Sequence, residues 1–163
     1  TWFAVLERAL KATIKAELNI EAFENTPHAE LSIVLSHDKI VKNYNRDYRN
    51  KDKATNILSF PGMDTDELKK FLTPSTLSMS MPPFMIGDLI LAYETLHQEA
   101  IEQGKTITNH FTHLIIHGLL HLLGYDHINE GDAQIMENQE RKILSTLNIH
   151  DPYKIIDFEI NRG

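Results

Sequence analysis

One stretch of the 163-residue chain, from about Thr108 to Leu123, is apolar on almost every side of the helix that it predicts. Such a helix has no face suited to water and must lie at the centre of a domain. Gly124 follows directly and is expected to end it. The rest of the chain must therefore fold around this helix, and its length fits a single domain spanning residues 1–163.

Hydrophobic periodicity predicts the elements around the central helix. Apolar residues at spacings of three or four indicate an amphipathic helix from Trp2 to Leu18, and Asn129 is expected to cap a helix that runs to about Leu147. Shorter helices are predicted at about 37–45 and 94–103, and strands at 30–36, 54–60 and 86–93. Strands followed by a run of helices predict an α+β fold, a small mixed β-sheet packed against several helices.

The segment from Gly62 to Met85 contains three prolines and shows no sustained periodicity beyond a possible turn of helix near Leu68. It is predicted to be an inserted loop. Long loops inside a small domain are often lids or binding loops, so this one could border an active site. A plain surface insertion is the equal alternative.

Three histidines follow the spacing of a metal site. Residues four apart on a helix have Cβ atoms about 5–6 Å apart, so His117 and His121 can reach one ion. A turn at Gly124 would return the chain and bring His127 to the same ion. The chain has no cysteine, and three histidines leave one position of a tetrahedral zinc open for water, as in catalytic sites. The pattern therefore predicts one zinc ion per chain.

Two other interpretations of the histidines stay open. A lone histidine on such a helix is more often a hydrogen-bonded core residue, although three at this spacing favour a metal. A register using His113 and His117 is also conceivable, since His110 and His113 share nearly the same face. That register lacks a third ligand placed by a helix-ending glycine, so His113 could instead support a ligand or belong to the core.

The residue after His117 restricts the chemistry. The triad matches the metallopeptidase pattern H-E-x-x-H-x-x-G-x-x-H except that Gly118 replaces the glutamate. In zinc peptidases that glutamate is the general base, so its absence argues against peptide hydrolysis. A zinc ion on neutral histidines favours an anionic substrate, and a phosphodiester fits. Asp126 and Asp88 are candidates for a general base or for orienting a ligand.

The charge distribution allows such a substrate. The net charge is -7, but the segment from Lys39 to Lys53 contains six basic residues and only two acidic ones. This segment is either a basic patch for nucleic acid or an ordinary solvated helix face. The absence of cysteine suits a reducing cytoplasm, and no apolar stretch is long enough to predict a membrane span.

Several blocks resemble the YbeY family of bacterial metal-dependent endoribonucleases. The segment from His117 to His127 is similar to the family's H-G-x-L-H-L-x-G-Y-D-H signature, and Tyr48-Arg49 with the stretch to Pro61 resembles its Y-R-x-x-D-x-x-T-[DN]-V-L-S-F-P. Gly87-Asp88 and Asp151-Pro152-Tyr153 resemble two shorter blocks. Gly62 stands where the family tends to have an aromatic residue, and the loop after it is longer than usual.

This resemblance implies a zinc site at His117, His121 and His127, and an arginine essential for function at Arg49. It also implies an RNA hydrolase that prefers single strands and acts in ribosomal RNA maturation and ribosome quality control, with ribosomal RNA and ribosomal subunits or ribosome-associated proteins as partners. The alternatives are a ribosome assembly factor with a structural zinc and, more remotely, a zinc peptidase.

Overall fold

The structure, a computed structural model, describes residues 1–18, 29–71 and 84–154. Within these ranges it contains six α-helices and three β-strands. The helices are α1 (Trp2–Glu17), α2 (Asp38–Arg49), α3 (Thr65–Phe71), α4 (Tyr93–Glu102), α5 (Ile107–Leu122) and α6 (Glu130–Thr146). The strands are β1 (Ala29–Ser36), β2 (Ile57–Pro61) and β3 (Phe84–Ala92). The predicted α+β class is confirmed.

The three strands form one mixed sheet in the order β1-β3-β2. β1 runs parallel to β3, and β2 runs antiparallel to it, with Phe60 opposite Asp88. The register of the parallel pair shifts between Glu30 and Leu31. Gly87 lies near this shift, and a Cβ atom there would stand 2.5 Å from the carbonyl oxygen of Phe60, so only glycine fits so closely against β2.

The two faces of the sheet pack against different helices. Alternate residues of a strand point to opposite faces. Ile57 and Leu89 belong to the main core together with the residues of α5, whereas Leu58 and Ile90 pack with Val41 of α2. The sheet therefore separates α2 from the central helix.

α5 is the buried central helix that the apolar pattern predicts. Its N-cap is Thr106, whose hydroxyl accepts a hydrogen bond from the backbone N–H of Asn109 at 3.1 Å. Ile115, Ile116 and Leu120 have no solvent-exposed surface. α1 packs against this helix, and the ring of Trp2 meets Phe111 edge to face at 4.9 Å between centroids.

Two boundaries differ by more than two residues from the sequence prediction, the end of α2 and the start of β2. α2 continues to Arg49, and Asn50 ends it in a left-handed conformation with φ of 54°. Asn45 itself is buried, and its side-chain amide donates to the carbonyl oxygen of Lys53 at 2.9 Å. That bond holds the chain after α2 against the helix, so β2 starts at Ile57 and not near residue 54.

The described part of the long loop lies beside the turn that follows α5. α3 forms where one turn of helix was predicted near Leu68, which is buried. A Cβ atom on Gly124 would stand 2.9 Å from Cγ2 of Thr65, so the start of α3 covers this glycine. Residues 72–83 lie outside the described residues. No helix within the described ranges has the length and apolar character needed to cross a membrane.

Candidate metal centre

The spacing of His117 and His121 on α5 brings their rings together. The ring centroids lie 4.6 Å apart, and the two Nε2 atoms are 3.1 Å apart. Nitrogens bound about 2.0–2.1 Å from one tetrahedral zinc lie roughly 3.3 Å from each other. The helix alone thus presents two imidazole nitrogens at close to the separation that a shared ion requires.

His127 reaches the pair through the turn that ends α5. Gly124 has φ of 102°, its N–H donates to the carbonyl of His121 at 3.0 Å, and the N–H of Tyr125 donates to Leu120 at 3.0 Å. This is a Schellman motif, which reverses the chain after a helix. The ring of His127 then lies 4.8 Å from that of His121 and 5.5 Å from that of His117, between centroids.

Together the three histidines could hold a metal ion. One nitrogen from each lies within 4.8 Å of the others. Since the two helical nitrogens are already 3.1 Å apart, the wider separations belong to His127, which is exposed on its loop. Two histidines on the helix and one exposed histidine on the loop leave one side of the cluster open, as a catalytic metal centre needs.

The outer nitrogens of both helical histidines are occupied, which orients the inner ones. Nδ1 of His121 donates to the carbonyl oxygen of Tyr125 at 3.0 Å, and Nδ1 of His117 is hydrogen-bonded to a carboxylate oxygen of Glu140. Burial, followed by repulsion from His117 and His127, lowers the pKa of His121 to about 4. A neutral ring with its lone pair on Nε2 is the form that binds a metal.

Glu140 of α6 is the functional residue that the sequence prediction missed. Its side chain is completely buried, and its second oxygen lies 3.3 Å from Nε2 of His113 and accepts a hydrogen bond from the hydroxyl of Tyr153. Burial alone would raise the pKa of Glu140, but the bonds from His113 and His117 lower it to about 2. A carboxylate behind a histidine ligand fixes the tautomer and orientation of the ring.

A signal for Glu140 was present in the sequence. It lies four residues after Met136 and three before Ile143, on the buried stripe of α6. A carboxylate in such a stripe is almost never buried without a partner. The side chains of the central helix that could pair with such a carboxylate are its histidines.

The other histidines of α5 do not join the cluster. His110 bonds Glu99 at 2.7 Å, and His113 bonds Glu140, so within the described residues the alternative register of His113 and His117 gathers no third ligand. The pKa of His113 is lowered by burial. His113 thus supports Glu140 from behind.

The glycine that replaces the peptidase glutamate faces the sheet and not the triad. A Cβ atom on Gly118 would stand 2.8 Å from both Cδ1 of Ile57 and Cδ2 of Leu89. Both residues are buried in the main core. The helix approaches the sheet so closely at this point that a longer side chain has no room, which explains in packing terms why no glutamate stands there.

The remaining predicted site residues lie outside the cluster. Asp126 accepts a hydrogen bond from the backbone N–H of His127 at 2.7 Å and so shapes the loop that carries this histidine. Asp88 lies half-buried on β3 and makes no side-chain hydrogen bond with another described residue. Arg49 ends α2, on the opposite face of the sheet from α5, and is exposed without an ion pair among the described residues.

The fold and the site define a class. An α+β domain whose buried helix carries an open histidine triad that could hold a metal ion has the arrangement of a metal-dependent hydrolase. The model of the endoribonuclease YbeY family matches residues 3–148, so the chain belongs to that family and is a hydrolase of the nuclease type. The resemblance noted in the sequence is confirmed.

Individual relatives agree with this assignment. Endoribonuclease YbeY of Paramagnetospirillum magneticum is 48% identical over 124 residues, which are 76% of this chain and 71% of that protein. Endoribonuclease YbeY of Rhizobium leguminosarum bv. trifolii is 40% identical over 162 residues, 98% and 88% of the two chains. A solution structure from Thermotoga maritima is similar in fold, with a TM-score of 0.52 at 17% identity over 96% of this chain and 92% of that one.

Proposed function

We propose that the chain is a zinc-dependent endoribonuclease that prefers single-stranded RNA and acts in ribosomal RNA processing and ribosome quality control in the cytoplasm. Residues 1–163 form one catalytic domain in this proposal. His117, His121 and His127 bind the zinc, and Arg49 contacts the RNA. Its partners are ribosomal RNA and ribosomal subunits or ribosome-associated proteins.

The arrangement of the triad carries this proposal. His117 and His121 each use Nδ1 for a hydrogen bond to the protein, so the pair of Nε2 atoms 3.1 Å apart is left for an ion. Imidazole ligands without thiolates suit zinc among the common metals, and an exposed third ligand suits a reacting centre. These features favour a catalytic zinc over a closed structural one.

A bound zinc would supply Lewis acidity for a phosphodiester and would make water more acidic at neutral pH. The protein's own residues supply the geometry. Glu140 holds the ring of His117 in position from behind, and Asp126 holds the backbone of His127. Arg49 is exposed and always charged, and its planar guanidinium offers paired donors that match the oxygens of an RNA phosphate.

The experiment compares RNA cleavage with zinc content. Purified protein is assayed on single-stranded RNA, on double-stranded RNA and on casein, each with and without a chelator, while zinc is measured by elemental analysis. We expect about one zinc per chain, cleavage of the single strand that the chelator abolishes, and no proteolysis. The matched variants are His121→Ala and His97→Ala, an exposed histidine on α4 outside the cluster.

Each other outcome identifies a different function. Protein that holds one zinc and binds RNA without cleaving it would be an assembly factor with a structural metal. Zinc-dependent cleavage of casein would instead indicate a peptidase. If His121→Ala kept a full equivalent of zinc, the assignment of the triad would be wrong.

A further inference from the structure

An exposed apolar ridge follows one side of α2. Ile40, Tyr44 and Tyr48 succeed one another at intervals of four, so they lie in a row along the helix. Their exposed fractions are 45%, 39% and 69%. Single apolar residues on a surface need no explanation, but three in a row next to basic residues do.

The two tyrosines pack against each other as an aromatic pair. Their rings are stacked, with centroids 5.7 Å apart and planes inclined by 18°. Tyr48 also meets the ring of Phe60 on β2 edge to face at 5.9 Å. These contacts hold the ring of Tyr48 in place while most of the residue remains in solvent, so little freedom is left to lose when a planar ligand stacks on it.

The charges around this surface are positive and uncompensated. The two acidic residues between Lys39 and Lys53 are engaged, Asp47 with Arg46 at 3.0 Å and Asp52 with Lys42 at 3.8 Å. Of the six basic side chains between Lys39 and Lys53, four form no ion pair with another described residue: Lys39, Arg49, Lys51 and Lys53. In a chain of net charge -7, this local excess of positive charge favours a polyanion over a basic or neutral partner.

The surface connects to the metal centre around the edge of the sheet. Phe60, which Tyr48 contacts, lies on β2 at one edge. Five residues later Thr65 packs against Gly124, next to the loop of His127. Five residues span at most about 18 Å, so a short single strand could pass from the tyrosines to the triad.

We propose that Tyr44 and Tyr48 form a stacking platform for an unpaired base of a single-stranded RNA, whose backbone is held by the neighbouring cations. Aromatic rings beside a basic track are the physical means by which proteins bind single strands without reading sequence. Duplex RNA does not offer an unstacked base, so the platform would also supply the single-strand preference. This inference rests on the proposed function and names the RNA subsite.

The test measures binding of a fluorescent 2′-O-methyl RNA of about 12 nucleotides by anisotropy, with the same oligonucleotide made abasic as a second probe. Tyr48→Ala and Tyr44→Leu should each raise the Kd for the intact probe by about 5- to 100-fold, the effect of losing one base stack. Tyr48→Phe should stay within about twofold of wild type. The matched control is Tyr93→Ala, which removes a tyrosine of α4 whose exposure is similar to that of Tyr44.

The abasic probe separates stacking from other effects. It keeps the phosphates but offers no base, so all the variants should bind it as weakly as wild type does. If Tyr48→Ala and Tyr44→Leu bound the intact probe with wild-type affinity, the platform would be refuted and the ridge would be a protein surface. An equal loss for both probes would also refute it, because the tyrosines would then act through the fold. If the wild-type protein cleaves RNA and the variants bind the intact probe with normal affinity, only the platform is refuted. If the wild-type protein neither binds nor cleaves RNA, the proposed function is refuted.

Discussion

Gly118→Ala should destabilise the protein, although alanine is the better helix former. In the interior of a helix the change from glycine to alanine gains about 0.5–1 kcal/mol. Here the new methyl group would stand 2.8 Å from Ile57 and 2.8 Å from Leu89, both inside the main core. Forcing a methyl group into a packed core costs about 1–3 kcal/mol.

The difference leaves a net loss of about 1 kcal/mol, or a fall in Tm of roughly 2–4 °C for a chain of this size. Gly131→Ala is the matched control, because Gly131 lies in α6 and its nearest neighbour to a new Cβ is the side chain of Asn129 at 3.4 Å. That variant should keep or raise the Tm. Differential scanning calorimetry of the metal-free and zinc-loaded proteins measures both effects.

Gly118→Glu extends the same argument. It restores the sequence H-E-x-x-H, but it would press a carboxylate between two apolar side chains, where an unpaired charge is costly. We expect a protein that unfolds or loses several kcal/mol and does not cleave casein. If Gly118→Ala raised the Tm as much as Gly131→Ala does, or Gly118→Glu were a stable zinc protease, the close approach of α5 to the sheet would be wrong.

Four further predictions concern the site and its surroundings. His121→Ala should abolish stoichiometric zinc in elemental analysis and remove the rise in Tm that zinc gives wild type, because a ligand to the native state alone stabilises it. Arg49→Ala should leave zinc content and Tm nearly unchanged, since the residue is exposed, but should cut RNA cleavage by about 10²-fold or more. Arg49→Lys should restore only part of the cleavage rate. A wild-type rate of RNA cleavage by Arg49→Ala would exclude a role of Arg49 at the phosphate. Glu140→Gln should weaken zinc binding by about 10- to 100-fold in a competition titration, and unchanged affinity would show that Glu140 does not orient His117. Burial would raise the pKa of Glu99, but the hydrogen bonds from His110 and Asn56 lower it, so the stability that Glu99 contributes is complete above the ordinary value of 4.5 and is lost as the pH falls. Glu99→Gln should therefore make the free energy of unfolding, measured by urea melts, fall less steeply below about pH 4.5. An unchanged slope would contradict this.

The ligand spacing could be predicted because it depends on local geometry. His117 and His121 are fixed by one helical turn, and the turn at Gly124 uses hydrogen bonds within six residues of chain. The helix boundary at Asn129 is local for the same reason. Such features follow from backbone preferences that a sequence displays directly.

The burial of Glu140 has a signal in the sequence, but the pairing of these residues with their partners could not be predicted, because the partners come from distant parts of the chain. Glu140 reaches His117 from the next helix, and the hydroxyl of Tyr153 donates a hydrogen bond to the second oxygen of that carboxylate. In the same way, Asn56 of the segment before β2 and His110 of α5 meet at Glu99. Only the packing of α6, α4 and the sheet against α5 brings these groups together.

The order of the strands also depends on distant contacts. The sequence predicts three strands, but nothing local decides that β3 lies in the middle, parallel to β1 and antiparallel to β2. The end of α2 illustrates the same limit. The sequence predicts that this helix ends near residue 45, but the side-chain amide of Asn45 donates to the carbonyl oxygen of Lys53 and the helix continues for another turn.

The hydrogen bond from Tyr153 to Glu140 has a consequence for the synthesis of the chain on the ribosome. The histidines leave the ribosome before the carboxylate that orients them, and the tyrosine that completes the carboxylate's bonding follows last. A nascent chain therefore carries the three histidines of the candidate metal centre for some time without the groups behind them. In the proposed function, metal binding should become tight only after Tyr153 has left the ribosome, so a chain that stalls before residue 153 would have an incomplete centre and little nuclease activity.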